Sequence, residues 1–478
     1  LLETAVFVYS MDISPYYQFV SIVNPTIFVS LILTLGAFYL YIGWRASQQI
    51  HTLKDYFLAG RSLGPVQLAI ALIATQLGGG VILGSSQQAF SIGLYGLLYV
   101  ASISLGLLIL ACGLAGRMRR LSVATMPEIF QRSYHSKALR RTASLLSIIS
   151  LVGIMAAQVV ASRNLMISLD VYSEALFLIF WASVIIYTAL GGLRAVVDND
   201  IYQLTFIIAV FCSLFVFECI SSPGTIMATL SGGANFATPE ALSFSKIMAL
   251  IIVPAAYVLI EQDLAQNIFA ARSPRVAIIG SLLAAFFMIG FSIIPVFYGM
   301  KANLLGIAVP CDGNPLVCLF DQLYSPLVVT FVVYGVFAAI ISTADALLCA
   351  ISSHVVQDFT EDHSRSKLLL SKATTFIVGC VTLVLGRIYS NVLDLILAST
   401  NMAVVGLLVP LLVAYIFPTR CSRLGAWFAL ASGLGTLLVF THTPGIGSPS
   451  PEATALLASA LAYCIGYAIE KIGKVKIA

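Results

Sequence analysis

Thirteen stretches of apolar residues follow one another along the chain, each about as long as a helix that crosses a bilayer. Such a helix needs about 20 apolar residues, because the hydrocarbon core is roughly 30 Å thick. Only helices and closed barrels satisfy their backbone polar groups in lipid. The sequence therefore predicts an all-α polytopic membrane protein with thirteen transmembrane helices. The predicted spans are residues 19–43, 66–90, 94–116, 142–169, 173–191, 200–220, 246–269, 276–300, 326–356, 371–390, 393–417, 425–441 and 453–470.

Charged residues are too few for a protein that faces water on most of its surface. Of the 478 residues, 59% are hydrophobic and 10% are charged, whereas a soluble domain carries about 25% charged residues. This composition excludes a soluble enzyme, a nucleic-acid-binding protein and a disordered scaffold. The lipid bilayer is the expected surrounding, and neither nucleic acid nor an obligate protein partner is indicated.

Lysine and arginine fall unevenly on the two sides of the predicted spans. Of the 25 basic residues, 21 gather on one side, and the exceptions are Arg163, Lys246, Lys301 and Arg387. Cytoplasmic loops carry the excess of positive charge. We therefore expect a multi-pass protein of the cell membrane with its N-terminus outside and its C-terminus in the cytoplasm, which requires an odd number of spans.

Two of the nine cysteines flank a polar loop on the predicted outer side. Cys311 and Cys318 bound the segment CDGNPLVC, and an oxidising compartment would allow them to form a disulfide. The alternative is a pair of free thiols. No secretory signal with a cleavage site is found, and Met11 is the expected natural start.

The second span contains three consecutive glycines, Gly78–Gly80, near its centre. Glycine weakens a helix by roughly 1 kcal/mol relative to alanine. A break in lipid is tolerated where it lines a cavity, and the freed carbonyls can bind a cation. Close packing of helices through small residues is the alternative.

The seventh span looks interrupted as well. Pro254 removes a helix hydrogen bond, and Tyr257, Glu261, Gln262 and Asp263 follow it. Interruptions in corresponding positions of two halves indicate a binding site between inverted repeats. A plain kink followed by a polar helix end is the alternative.

The sixth and ninth spans carry polar residues at membrane depth. Ser342 and Thr343 lie mid-span in the ninth and share a helix face with Ala339. Their hydroxyls are neutral oxygen ligands that suit Na+, although such hydroxyls often bond back to the preceding turn. Asp345 follows them, and Asp200 lies near the start of the sixth span. A carboxylate in lipid needs a cation, a partner or a proton.

Four segments in this order resemble the sodium:solute symporter family, whose known members move sugars, proline, pantothenate, iodide and choline. The segments are DYFLAGRSLGP (Asp55–Pro65) followed by SIGLYGL, YTALGGLRAVVDNDIYQ (Tyr187–Gln203), EQDLAQNIFAARSPR (Glu261–Arg275) and FAAIISTADALL (Phe337–Leu348).

The resemblance implies the five-plus-five inverted-repeat (LeuT-like) fold, with one extra N-terminal and two extra C-terminal helices. Residues 1–65 would hold the N-terminal segment and first helix, and residues 66–220 the first repeat. Residues 246–417 would form the second repeat, and residues 425–478 the last two helices and a short cytoplasmic tail.

The resemblance also implies a sodium site. Its ligands would be the carbonyls of Ala74, Leu77 and Ala339 with the hydroxyls of Ser342 and Thr343. Asp200 matches an aspartate that the family implicates in sodium coupling. This chain departs from the family pattern at three positions, namely Asn199 for a threonine, Asn267 for an arginine and Thr343 for a serine.

The solute site is expected beside the helix breaks. Gln76 and Glu261 stand where the choline branch has tryptophans, which disfavours choline, and Gly80 with Val81 disfavours a sugar. A carboxylate at Glu261 favours a cationic group, so a small amino acid or amine is the preferred solute. The expected substrate-binding residues are Gln76, Gly78, Gly79, Gly80, Tyr257, Glu261 and Gln262.

The predicted function is Na+-coupled symport of a small organic solute by alternating access. A proton-coupled amino-acid permease of the same fold remains open, as does a solute-sensing receptor with a transporter core, which the short tail after Lys471 disfavours. An enzyme is not expected, because no nucleophile–base constellation is seen. The five histidines are read as lying in loops or at span ends: His51, His135, His354, His363 and His442.

Overall fold

The computed structural model describes residues 23–233, 244–309, 313–360, 366–388, 392–442 and 450–477, and these residues are almost entirely helical. One isolated parallel bridge joins Leu63 to Ala271. The α-helices of the described residues are α1 (Pro25–Ser47), α2 (Leu53–Leu58), α3 (Pro65–Gln76), α4 (Gly79–Ile92), α5 (Leu97–Ile109), α6 (Ala115–Arg120), α7 (Met126–Tyr134), α8 (Lys137–Ser168), α9 (Glu174–Ser221), α10 (Pro223–Gly233), α11 (Phe244–Val258), α12 (Gln262–Ala270), α13 (Pro274–Leu304), α14 (Pro315–Leu323), α15 (Pro326–Phe359), α16 (Ser366–Ile388), α17 (Val392–Ile416), α18 (Arg423–His442) and α19 (Pro451–Ile477).

Ten helical runs in the described part are long and apolar enough to cross a membrane. This number is smaller than the thirteen spans predicted from the sequence. Part of the difference arises because two runs, Gly79–Arg120 and Glu174–Ser221, each contain more chain than one crossing needs. The rest arises because the seventh predicted span is divided into two helices, α11 and α12, that are each too short to be counted.

The second predicted span is divided into α3 and α4. Pro65 starts α3, where a missing N–H costs nothing. The helix ends at Gln76, since Leu77 has a ψ of 45° outside the helical region, and Gly78 is extended before α4 begins. The seventh predicted span is divided likewise, into α11 and α12, with Glu261 extended ahead of α12.

The run Gly79–Arg120 reverses direction between α4 and α5. Gly93 has a φ of +61°, a backbone conformation that favours glycine. On one side of the turn α4 packs through Ser86 against Gly299, near the end of α13. Beyond the turn α6 packs through Gly116 against Ile278, near the start of α13. The two limbs therefore run in opposite directions along α13.

Helix α9 folds back on itself at Gly192, which has a φ of +51° and a ψ of −149°. Tyr187 lies beside Gln203, yet these two residues would be about 24 Å apart in a straight helix. The fifth and sixth predicted spans are thus the two limbs of one hairpin.

Helix α15 lies at the centre of the bundle, and 83% of its most apolar stretch of 18 residues is buried. Both limbs of α9 pack on it, through Phe180 against Phe337 and through Phe206 against Tyr334. Polar side chains on this central helix are therefore shielded from both lipid and water.

Three residues named in the sequence analysis lie outside the described part of the chain: Met11, Cys311 and His363. Cys318 is a free thiol as far as the described residues show. The Cys311–Cys318 disulfide consequently stays a prediction.

Candidate ion and solute site

A serine hydroxyl joins the broken second span to the central helix. Ser342 of α15 is fully buried, and its Oγ lies 3.0 Å from the carbonyl oxygen of Ala74 and 3.0 Å from that of Ala339. The carbonyl of Ala74 is available because α3 ends two residues later, at Gln76. Three of the five predicted sodium ligands therefore meet at one point.

The other two predicted ligands lie next to this point. Thr343 donates its hydroxyl to the carbonyl of Thr75 at 3.1 Å. A Cβ placed on Gly78 would lie 2.5 Å from the Oγ1 of Thr343, so only glycine permits this approach. Leu77, which lies between Thr75 and Gly78 in the sequence, is fully buried at the break. Thr75 was not among the predicted ligands.

The cluster consists of neutral oxygen atoms from two helices. Carbonyl and hydroxyl oxygens are the ligands that hard cations prefer. Because Na+ carries a single charge, it depends less on a buried counter-charge than a divalent cation does. The arrangement is chemically suited to Na+ and would link α3 to α15 through the ion.

A second polar cluster surrounds Asp200, which is fully buried on the second limb of α9. It lies close enough to Asp345 of α15 for their charges to interact. Tyr187 donates a hydrogen bond to Asp345. Both carboxyl oxygens of Asp200 lack partners among the described residues. Two buried carboxyl groups therefore lie near each other, and Tyr187 is the one side-chain donor described for Asp345.

Asn199, where the family pattern has threonine, is fully buried beside Asp200, and neither of its amide atoms has a described partner. Sequence reasoning singled out Asp200 and Asp345 but did not bring them together. They could have been paired only by predicting the chain reversal at Gly192, which needs a φ that favours glycine.

The predicted solute residues divide into two groups. Gln76 donates its amide to Glu261 Oε2 at 2.7 Å, which links the break after α3 to the break before α12. Tyr257 is buried, with its hydroxyl 3.4 Å from Ser150 of α8. Gly79 packs against Ile340, whereas a Cβ on Gly80 would meet nothing within 4 Å.

Gln262 is directed elsewhere. Its Oε1 accepts a hydrogen bond from the backbone of Met126 at 2.8 Å, and its Nε2 donates to the carbonyl of Ala124 at 3.3 Å. The residue ties α12 to the loop before α7. Sequence reasoning could not foresee these partners, because they are backbone groups distant in the chain.

A serine, a histidine and an aspartate line up near the end of α15. His354 Nε2 lies 2.9 Å from Ser147 Oγ, and His354 Nδ1 lies 2.9 Å from Asp358. His354, which the sequence placed in a loop or at a span end, lies fully buried near the end of α15.

This row has the order of a catalytic triad but not its surroundings. Asp358 also bonds Arg140, Ser144 and Thr125, so it is held as the centre of a packing network. Ser147 lies in the interior of α8, where its N–H is part of the helix and cannot join an oxyanion hole. We interpret the row as a tie between α15 and α8.

Comparison with solved structures shows the fold. A Na+-coupled sialic acid symporter, solved in a substrate-bound outward-open state, superposes with a TM-score of 0.78 at 17% identity, covering 93% of this chain and 97% of that chain. A nucleobase-cation-symport-1 family transporter in a closed conformation gives 0.62 at 16% identity, covering 87% and 94%. The described helices thus have the LeuT-like arrangement of such transporters.

Sequence comparison finds transporters of the same kind. The osmoregulated proline transporter of Bacillus subtilis (strain 168) is 23% identical over 87% of this chain and 89% of its own length. The sodium/pantothenate symporter of Escherichia coli (strain K12) is 26% identical over 70% of this chain and 72% of its own. The model of the sodium:solute symporter family matches residues 56–433. Because this match spans most of the sequence, the chain is a multi-pass membrane protein that belongs to the sodium:solute symporter family.

Proposed function

We propose that the protein is a secondary active transporter that carries a small organic solute together with Na+ by alternating access. One observation carries the proposal, namely that Ser342 Oγ lies 3.0 Å from carbonyl oxygens of both the broken α3 and the central α15. The name of one relative, the sodium/pantothenate symporter of Escherichia coli (strain K12), supports the coupling ion.

In this proposal Na+ is held by the carbonyls of Ala74, Leu77 and Ala339 and by the hydroxyls of Ser342 and Thr343. Ion binding would fasten α3 to α15 and fix the adjoining solute site. One charge moving through 100 mV supplies about 2.3 kcal/mol, and a tenfold sodium gradient adds about 1.4 kcal/mol. The sum would support a solute ratio of about several hundredfold.

We further propose thirteen membrane crossings. The chain reversals at Gly93 and Gly192 support this count, as does counting α3 with α4, and α11 with α12, as one crossing each. Residues 66–220 and 246–417 would then be the two inverted repeats, each opening with a broken helix. The residues before 66 and the helices from 425 onward would be additions to them. The end that carries Arg61, Arg119 and Arg272 would face the cytoplasm.

The proposed solute carries a cationic amino group, as amines and amino acids do. The support is Glu261, a carboxylate that is 7% exposed and is bonded to the amide of Gln76. A buried carboxylate without a basic partner is stabilised by a cationic ligand.

The double variant Ser342→Ala with Thr343→Ala tests the ion site. It removes both hydroxyls and leaves the backbone carbonyls in place, so we expect sodium-stimulated uptake in proteoliposomes to disappear. Ser352→Ala is the matched control, because Ser352 is a fully buried serine of the same helix that bonds its own turn at Cys349. Uptake that keeps its sodium dependence in the double variant would contradict the proposed site.

A second candidate function is proton-coupled transport on the same fold. The neighbouring buried carboxyl groups of Asp200 and Asp345 favour it, because such a pair can hold a proton as well as a cation. The same proteoliposomes distinguish the two functions. Uptake driven by a pH gradient without Na+ would establish proton coupling, and uptake that requires Na+ would exclude it as the sole driving force.

A further inference from the structure

A second carboxyl group lies beside Glu261 in the gap between α11 and α12. Asp263, the second residue of α12, is 2% exposed, and its carboxyl group lies close enough to that of Glu261 for the two charges to interact. Two buried carboxylates this close do not both stay ionised unless a cation lies between them. The pair therefore holds either a cation or a shared proton.

The surroundings supply little counter-charge. The elements packed on α11 and α12 bring few titratable or charged side chains into contact with this region. Those with described contacts are Tyr99, Tyr257, Arg119 and Cys349. Arg119 bonds the carbonyl of Ala271, at the far end of α12 from Asp263. Among the described residues, no basic side chain forms an ion pair with Glu261 or Asp263.

Further acceptors at the same place lack donors. Asn267, one turn after Asp263, is fully buried, and its amide nitrogen donates to Thr75 Oγ1 at 3.3 Å. Its Oδ1 and both oxygens of Asp263 have no side-chain donor among the described residues. Buried acceptors are nearly always paired. This set of oxygens suits a ligand that carries positive charge and several hydrogen-bond donors.

Gln76 and Gly80 form the accessible part of the break between α3 and α4. Gly80 faces open space, since a Cβ there would meet no atom within 4 Å. Gln76 and Gly80 are half-buried, whereas Thr75 and Gly79 next to them are buried. Gln76 is also the residue that bonds Glu261. A solute that reaches Gln76 therefore reaches Glu261, one member of the carboxyl pair.

We propose that Glu261 and Asp263 bind the ammonium group of the solute in exchange for a proton that the two carboxyl groups share. The inference rests on the proposed function, because it concerns the same solute site. Before binding, one proton lies between the two carboxyl groups and leaves a single negative charge. The ammonium group then donates hydrogen bonds to both carboxylates, and the shared proton passes to water. The site selects primary and secondary amines over neutral or anionic solutes of similar size.

Matched pairs of probes test the selectivity. Proline is compared with tetrahydrofuran-2-carboxylate, and putrescine with butane-1,4-diol, by thermal shift of the full-length protein and by uptake into proteoliposomes, with and without Na+. We expect at least one ammonium probe to bind in a Na+-dependent manner and neither deaminated probe to do so. Its KM should fall up to about tenfold per pH unit as pH rises through the acidic range, with about one proton released per solute bound.

Two outcomes separate this inference from the proposed function. Na+-driven uptake of a deaminated probe, or of pantothenate as an anionic probe, with no ammonium probe bound, would overturn the inference and leave symport intact. Uptake of an ammonium probe that ignores Na+ would overturn the proposed function and leave the carboxyl pair as the amine site.

Isosteric variants test the two carboxyl groups separately. Glu261→Gln should raise the KM for the ammonium probe at least about tenfold. Asp263→Asn should retain binding but lose both the pH dependence of KM and the proton release. Asp321→Asn, an exposed aspartate on α14, is the matched control. The Na+-induced thermal shift reports on folding, because the proposed ion ligands are unchanged. An Asp263→Asn variant that keeps the wild-type pH dependence, with that shift intact, would refute the proton exchange.

Discussion

At the scale of single residues, Gly78 determines how closely the break after α3 approaches α15. Gly78→Ala would place a Cβ 2.5 Å from Thr343 Oγ1, so the hydroxyl must turn away from the carbonyl of Thr75. We expect the KM for Na+ to rise at least about tenfold with folding unchanged, measured as the sodium dependence of uptake.

The control for this substitution is Gly84→Ala in α4, where a Cβ would meet no atom within 4 Å. This variant should bind Na+ as the wild type does. A Gly78→Ala protein with the sodium dependence of the control would show that Thr343 does not hold the ion.

Individual residues also show how far the sequence could predict the site. Ser342 and Ala339 share a helix face by spacing alone, so their meeting could be foreseen. The contact of Ser342 with Ala74 required the resemblance to a family, because it joins residues far apart in the chain. The contacts of Gln262 could not be predicted, because its amide bonds a backbone group and no spacing in the sequence identifies that partner. Asp263 received little weight because a polar end of the seventh span was the alternative interpretation of residues 261–263.

At the scale of elements, the hairpin in α9 depends on a glycine in a conformation that other residues avoid. Gly192→Ala combines a φ of +51° with a Cβ only 2.3 Å from the carbonyl oxygen of Tyr56. We expect a loss of about 2–4 kcal/mol in stability, seen as a lower apparent melting temperature of the detergent-purified protein.

Gly290→Ala in α13 is the comparison, because a Cβ there meets no atom within 4 Å. Alanine inside a helix should be neutral or stabilising by up to about 1 kcal/mol. Equal melting temperatures for the two variants would argue against the strained turn. The sequence predicted the two limbs of α9 as separate spans, and hydropathy alone could not show that a single glycine joins them.

At the scale of the whole molecule, the proposed orientation can be tested by labelling. Lys54 and Leu305 are exposed and lie at opposite ends of the bundle. In a background without native cysteines, Leu305→Cys should react with a membrane-impermeant maleimide on intact cells, and Lys54→Cys only after permeabilisation. Labelling of Lys54→Cys on intact cells would reverse the orientation that the basic residues indicate.

The proximity of Asp200 and Asp345 has a consequence for how the protein is made. The two residues are 145 positions apart in the chain, which at about 5–20 residues per second separates their synthesis by roughly 7–30 s. During that interval the nascent chain holds the acidic limb of α9 before α15 exists to cover it. A partly translated protein should therefore keep this limb near the insertion machinery or the aqueous boundary, and the first half alone should be a poor candidate for stable expression.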